Sequence, residues 1–277
     1  MDIIVHRDNQ YKGIDLDIKN SMLRSVQINP TELCNRTCIF CPRHDKNIYP
    51  NQNKHIQVKT VENLCISLKK INFKNRIGFV GFGEPLLCNT LLECIRKVKE
   101  IIPDIKWLEV NTNGDKLTAE MIKDLFLAGC THISISMYDS DKTEYFKNLK
   151  GGIPIEFIFR HHYDSNVNYN IEIVNRSEML KEEKEEYSNN SCYIPFYKAI
   201  IDWNGDVLLC ENDWSRKNIF GNVNKEDFYD IWLNNTYNNF RNGLLKGRKN
   251  KSPCKNCSVN GCKRGSEAVE IYKNHFK

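Results

Sequence analysis

The chain has 277 residues, 40% hydrophobic and 27% charged, with a formal net charge of +5. That length bounds it to one large domain or a domain with an appendage, and the composition excludes a disordered chain or a fibre. No apolar run approaches the roughly 18 residues of a membrane-spanning helix. Residues 1–10 carry charges where a secretory signal has its apolar stretch. Lys and Arg alternate with Asp and Glu and form no basic stripe. A cytoplasmic protein with no membrane or nucleic-acid partner is therefore expected.

In chain order, a polar lead of residues 1–24 precedes an alternating segment, 25–30, that reads as a strand ended by Pro30. A loop rich in Asn, Pro and Cys follows. Apolar residues at 61, 64, 68 and 71 predict a helix over 60–71. Residues 76–80 predict a strand, and 86–102 a helix stopped by Pro103. The pattern repeats: strand 107–110, helix 118–128 with Gly129 at its end, strand 131–137, short helix 141–149, then strands 153–159 and 169–174. Strand–helix alternation implies a parallel α/β sheet. Six units are too few for a complete eight-unit barrel; a partial (β/α)6 barrel and a flat doubly wound sheet fit the periodicity equally well.

After a charge run at 181–186 the alternation stops. Residues 199–209 read as a hairpin around Asn204-Gly205, and an amphipathic helix begins at Phe228. The division is then a core, 25–180, and a smaller second domain, 181–277.

The compositional outlier is cysteine, 12 residues in all. In a reducing compartment clustered cysteines more often hold metal than form disulfides. Cys34, Cys38 and Cys41 lie on the loop after the first strand, spaced by three residues and then two. Thiolate softness favours zinc or an iron–sulfur cluster. A structural zinc site needs a fourth ligand, such as His44 or His55. A [4Fe–4S] cluster on three thiolates keeps one iron open for a ligand. Cys192, Cys210 and the pair Cys254 and Cys257 form a second set of four, able to close a cluster or a zinc ribbon. Cys65, Cys88, Cys94 and Cys130 fall on apolar helix faces or turns and read as small core residues.

The Cys-x3-Cys-x2-Cys loop, with Phe40 just before its third Cys, resembles the radical S-adenosylmethionine (radical SAM) superfamily. Gly81-Phe-Gly-Glu84-Pro, after the second strand, is similar to the family segment that holds the methionyl ammonium of SAM. The resemblance implies that the fold is a partial (β/α)6 TIM-like barrel. It implies a [4Fe–4S] cluster on Cys34, Cys38 and Cys41, with SAM contacts from Phe40, Gly81, Gly83 and Glu84. Asn111 and Asn113 at the third strand end and Ser134 and Ser136 on the fourth would add contacts to SAM.

The order of the second cysteine set resembles the SPASM/twitch extension of that family, a small α+β domain. Only Cys262 follows the final pair, which matches the shortened form with one auxiliary [4Fe–4S] cluster on Cys192, Cys210, Cys254 and Cys257. The spacing is also similar to that of the twitch-containing aminocyclitol dehydrogenase type. The expected reaction is therefore radical dehydrogenation of a sugar-like or cyclitol alcohol, an oxidoreductase reaction with the auxiliary cluster as electron acceptor. Alternatives are radical modification or epimerisation of a peptide, with Cys262 returning a hydrogen atom, and a metal-stapled binding module. The short lead lacks room for a peptide-recognition domain.

Arg160, His161 and His162 close the fifth strand without a family parallel and read as catalytic candidates. A histidine there would take a proton, and Arg160 would hold substrate oxygens or the SAM carboxylate. Reduction calls for a flavodoxin or ferredoxin, which Arg43, Lys46 and Lys54 beside the cluster loop would meet.

Overall fold

A computed structural model describes residues 22–162, 175–176, 179–180, 187 and 189–276. The strand expected over 169–174 and the charge run at 181–186 lie outside the described residues. One eight-stranded sheet organises the molecule, in the order β5-β4-β3-β2-β1-β6-β7-β8. Its strands are β1 (Ser25–Ile28), β2 (Arg76–Phe79), β3 (Trp107–Thr112), β4 (His132–Met137), β5 (Glu156–His161), β6 (Lys198–Ile201), β7 (Asp206–Leu208) and β8 (Ile219–Asn222). β1 to β5 are parallel neighbours, linked by α1 (Val58–Lys70), α2 (Leu91–Ile101), α3 (Ala119–Ala128) and α4 (Thr143–Lys150).

The hairpin at Asn204-Gly205 forms as the sequence predicts, with Gly205 at φ +92°. Its first strand does more than pair locally. β6 inserts beside β1 in parallel, Ser25 opposite Lys198 and Ile28 opposite Ile201. The later half of the chain thus extends the sheet of the earlier half. α5 (Ile194–Tyr197) leads into β6, and α6 (Phe228–Leu233), α7 (Asn235–Leu245) and α8 (Ser266–His275) follow β8. No helix among the described residues is long and apolar enough to cross a membrane.

Two helix boundaries show how local chemistry adjusts the periodic reading. The predicted 86–102 helix is split: Pro85–Leu87 form a 3-10 turn, and α2 starts only at Leu91. Thr90 Oγ1 donates to Ile56 O at 2.6 Å, which anchors the break to the neighbouring loop. α3 begins as expected, because Thr118 Oγ1 accepts from Met121 N at 3.1 Å. Gly129, at φ +103°, ends it.

Strand alternation gives the sheet two unlike faces. Val26, Ile28, Ile77, Phe79, Leu108, Val110, Ile133 and Ile135 pack under the helices with Leu64, Ile95 and Leu125. Cys65, Cys88, Cys94 and Cys130 join this core, as their helical positions predict. The opposite face is polar yet buried, with Ser25, Arg76, Glu109, Ser134, Ser136, Lys198 and Asp202 all shielded from solvent. On it, Arg76 grips Glu109 with Nε and Nη2 at 2.8 and 2.7 Å, and Trp107 Nε1 donates to the same carboxylate at 2.7 Å.

Burial alone would raise the Glu109 pKa, but the Arg76 charge and hydrogen bonds reverse this and hold it below the usual 4.5. The folded value lies below the unfolded one. The ion pair's stabilisation is therefore complete above about pH 4.5 and is lost as pH falls through the folded value. Glu109→Gln should accordingly lower the urea midpoint most near neutral pH, by the equivalent of about 3 kcal/mol for a broken buried pair. The gap to the parent should narrow on acidification below pH 4.5, measured as urea midpoints across that range.

Candidate active site and cysteine clusters

The first cysteine loop leaves β1 through Asn29 and Pro30 and is tied at its base. Thr31 bridges His55, and Thr31 Oγ1 donates to Lys54 O at 2.8 Å. Asn51 holds Cys34 on both sides, its Oδ1 accepting from Cys34 N and its Nδ2 donating to Cys34 O, each at 2.9 Å. Cys41 N closes a turn on Cys38 O at 3.0 Å. Burial pushes all three thiols up, Cys38 to about 12, with Cys34 and Cys41 adding to the rise at Cys38. Three thiols that feel one another on one loop are a suitable donor set for a cluster, and ligation must displace a proton from each. His55 does not offer a fourth ligand, since Nδ1 meets Thr31 Oγ1 at 3.1 Å and Nε2 meets Asn53 Oδ1 at 2.8 Å.

Glu32 and Arg43 form the neck of this loop. Arg43 Nη2 reaches Glu32 Oε2 at 3.1 Å, and Arg43 also donates to Phe82 O and to Asn51 Oδ1. Both side chains are almost wholly buried. This corrects the expectation that Arg43 is a surface contact for an electron donor: its charge is committed inward. Arg216, from beyond β7, takes the other Glu32 oxygen and both oxygens of Asp202. Asn29 Nδ2 joins Glu32 at 3.0 Å and Asp202 at 2.8 Å. Asp202 accepts from Trp203 N in the hairpin turn and is fully buried, paired with Arg216.

The Gly81-Phe-Gly-Glu84 segment lies against that neck. A Cβ on Gly81 would overlap the Asn29 side chain, and one on Gly83 would run into the carbonyls of Thr31 and Leu33. Only glycine lets the β2 exit pass this close. Glu84 is 3% exposed. It accepts from Thr112 Oγ1 at 2.7 Å, Asn113 N at 2.8 Å and Leu86 N at 3.1 Å. Burial raises its pKa against those three hydrogen bonds. Glu84 therefore ties β2 to β3, and its Oε2 keeps capacity for one further donor such as an ammonium.

Asn111, Ser134, Ser136, Arg160 and His162 follow on the polar face at the ends of β3, β4 and β5. Ser134 Oγ is buried with no hydrogen-bond partner among the described residues, an orphan that a ligand would satisfy. Phe40 packs on Tyr138 at 5.2 Å, and Tyr138 stacks on His162 at 5.3 Å. Arg36 pins the loop to the strand ends, with two 2.6 Å hydrogen bonds to Asp115 and a 2.8 Å ion pair to Asp139. Between them lies a cleft of about 400 Å³ lined by Arg36, Asn113, Asp115, Tyr138 and Phe146. His161 is not part of this group. Alternation turns it to the opposite, exposed side, beside Asp141 and Tyr145.

The cysteines of the second set lie within electrostatic reach of one another. Cys192, Cys254 and Cys257 are buried, and Cys210 is half-buried just past β7. Burial raises each thiol, and Cys210 and Cys254 each feel Cys257. A Cβ on Gly261 would strike Cys192 Sγ, so this glycine, unremarked in the sequence reading, seats that thiol. Cys262 Sγ donates to Ser191 O at 2.8 Å, which places it beside Cys192 and not among the strand-end residues. Tyr49, Phe82, Ile200, Leu208 and Trp214 form a small apolar cluster onto which Cys41 packs. Arg176 lowers the pKa of both Cys41 and Cys257, so one cation's field reaches both cysteine sets. Among the described residues no three Cys, His, Asp or Glu side chains close around a single ion.

Comparison with known proteins agrees with this geometry. Residues 28–174 match the family model of the radical SAM superfamily, and 192–258 match SPASM, an iron–sulfur cluster-binding domain. The chain is 27% identical over 244 residues to the S-adenosyl-L-methionine-dependent 2-deoxy-scyllo-inosamine dehydrogenase of Niallia circulans, covering 86% of this chain and 94% of that protein. A crystal structure of BtrN in complex with AdoMet and 2-DOIA aligns with a TM-score of 0.76 at 26% identity, over 90% of this chain and 98% of that one. Native anSMEcpe with bound AdoMet and Cp18Cys peptide shares the fold, with a TM-score of 0.56 at 16% identity over 91% and 95% of the two chains.

Arg216→Met leaves Glu32 and Asp202 buried with one of their two cations gone. Unfolding free energy should fall by about 3 kcal/mol. Lys54→Ala, at an exposed site, should change it by less than about 0.5 kcal/mol. Urea titration of both variants checks the contrast.

Proposed function

We propose that this chain, which belongs to the radical SAM superfamily, dehydrogenates a sugar-like or cyclitol alcohol on the polar face of its sheet. As a radical SAM enzyme with a SPASM-type extension it binds SAM on a [4Fe–4S] cluster and carries auxiliary iron–sulfur binding. The residues assigned to the first cluster are Cys34, Cys38 and Cys41; those assigned to the auxiliary cluster are Cys192, Cys210, Cys254 and Cys257. We assign residues 25–180 to the core and 181–277 to the extension. When bound, the first cluster supplies the electron that opens SAM to a 5′-deoxyadenosyl radical, and the auxiliary cluster accepts the electron left after the substrate loses a hydrogen atom and a proton.

The observation that carries this reading is the Lys198–Glu211 pair. Lys198 stands on the polar face, in register with Ser25, and its Nζ meets Glu211 Oε1 at 2.6 Å. Glu211 directly follows Cys210 and acts on its thiol. The polar face and the auxiliary cysteine set therefore meet at one ion pair, so a substrate lying over that face is next to the acceptor. The face offers charges of both signs, Arg76, Glu109, Lys198 and Arg160, which suits the hydroxyls and amine of a small polyol. The inosamine dehydrogenase relative supports the same class. The peptide-bound neighbour shares the fold alone and lends a peptide substrate no comparable support.

Within that site we assign the cradle for SAM to Phe40, Gly81, Gly83, Glu84, Asn111, Asn113, Ser134 and Ser136. Arg160 would hold the substrate oxygen. His162, stacked on Tyr138 at the strand end, would take the hydroxyl proton. A flavodoxin or ferredoxin donor would meet exposed Lys46 and Lys54 beside the loop. Twelve free cysteines suit a reducing compartment such as the cytoplasm.

Anaerobic reconstitution should give about eight irons per chain, falling to about four in a Cys34/Cys38/Cys41→Ala variant. One ketone per 5′-deoxyadenosine is expected with an aminocyclitol; a persistent excess of deoxyadenosine over ketone sinks the dehydrogenase reading. His162→Gln should still cleave SAM while ketone formation drops by about a hundredfold or more. His161→Gln, on the other side of the strand, should leave the ratio unchanged.

A further inference from the structure

Arg248 is a buried cation that none of the roles above uses. It is 1% exposed, although it lies in the surface-bound segment after α7. Its Nε donates to Asn190 O at 3.1 Å, and its Nη1 donates to Val259 O at 2.9 Å and Cys257 O at 3.4 Å. These carbonyls come from the segment entering Cys192 and the segment leaving Cys257, so the guanidinium is clamped between two ligand-bearing stretches. Nη2 is buried with no acceptor among the described residues. No carboxylate among them pairs with it either.

Burying a cation without a counter-charge costs several kcal/mol, so a fold that does this normally supplies the anion by other means. Four thiolates around an iron–sulfur cluster are net negative, and become more so on reduction. Cys192, Cys254, Cys257 and Cys262 all feel the Arg248 charge, which works against burial at each. Cys210, by contrast, has Glu211 and Asp213 for neighbours, which push its thiol up. Among the described residues, Arg248 is thus the cation whose field reaches Cys192, Cys254 and Cys257 together.

We propose that Arg248 is a positioning residue for the auxiliary cluster: its Nη2, unpaired among the described residues, donates a hydrogen bond to a cluster sulfur, and its charge raises the potential at which the cluster accepts an electron. Hydrogen bonds to sulfur and local charge are the levers that set such potentials. This rests on the reading that Cys192, Cys210, Cys254 and Cys257 hold a cluster.

The test uses the full chain carrying Cys34/Cys38/Cys41→Ala, so that only the second set can bind iron, reconstituted anaerobically and titrated by EPR. No iron in this parent overturns the cluster reading itself, whatever Arg248 does. With iron bound, Arg248→Gln should lower the reduced-to-oxidised ratio at the parent's midpoint by about tenfold or more, a 59 mV shift for a one-electron couple. Arg248→Lys, which keeps the charge, should stay within about threefold. An unchanged ratio in Arg248→Gln overturns the proposal. If that variant takes up no iron, the decision passes to the parent labelled with 15N-arginine. Pulsed EPR of its reduced cluster should show a 15N coupling that Arg248→Lys lacks, and its absence from the parent overturns the proposal.

Discussion

Two arginines share one carboxylate at the centre of this molecule. Glu32 precedes Cys34 by two residues and Arg43 follows Cys41 by two, so their ion pair draws the cysteine loop shut at its neck. Arg216 binds the other Glu32 oxygen and Asp202 together, and Tyr49 lies between the guanidiniums at 4.8 and 5.5 Å. Two carboxylates and two guanidiniums leave the network neutral. A buried network of this kind is weak evidence for stability as such. Its effect is geometric, since few other arrangements satisfy every donor and acceptor at once. The mutual placement of the first cysteine loop, the glycine-rich exit of β2 and the segment after β7 follows from it.

That placement explains why close backbone approach recurs at both cysteine sets. Gly81 passes the Asn29 side chain, Gly83 the carbonyls of Thr31 and Leu33, and Gly261 the thiol of Cys192. In each case a methyl group would displace an element beside the cysteines of that set. Burial, meanwhile, raises the pKa of all seven cysteines of the two sets. Cluster assembly on either set would therefore be coupled to release of protons into a largely dry site.

Local periodicity carried most of the fold. The strand and helix cores of residues 25–161 stand within a few positions of where hydrophobic spacing puts them, and Gly81, Gly83 and the cysteines were legible as motifs. What local reading could not see is anything settled at long range. Arg43 and Asp202 look like ordinary surface charges, because the fold alone brings Arg43 to Phe82, 39 residues on, and Asp202 to Asn29, 173 residues back. The pairing of β6 with β1 is invisible for the same reason: a hairpin announces only its own turn. His161 is a different lesson. The two-residue strand period was available, and it separates His161 from Arg160 and His162 without any tertiary information.

The insertion of β6 beside β1 also fixes an order of events. β1 is the centre of the sheet, yet one of its flanks is filled by a strand that emerges from synthesis long after it. Contacts of such separation form late, once the loop between them has been closed at its entropic cost. β1 to β5 can assemble from near neighbours, but the middle of the sheet stays one-sided until the hairpin arrives. Glu32 then waits for Arg216 as well, so the neck of the first cysteine loop is among the last parts of the structure to become whole.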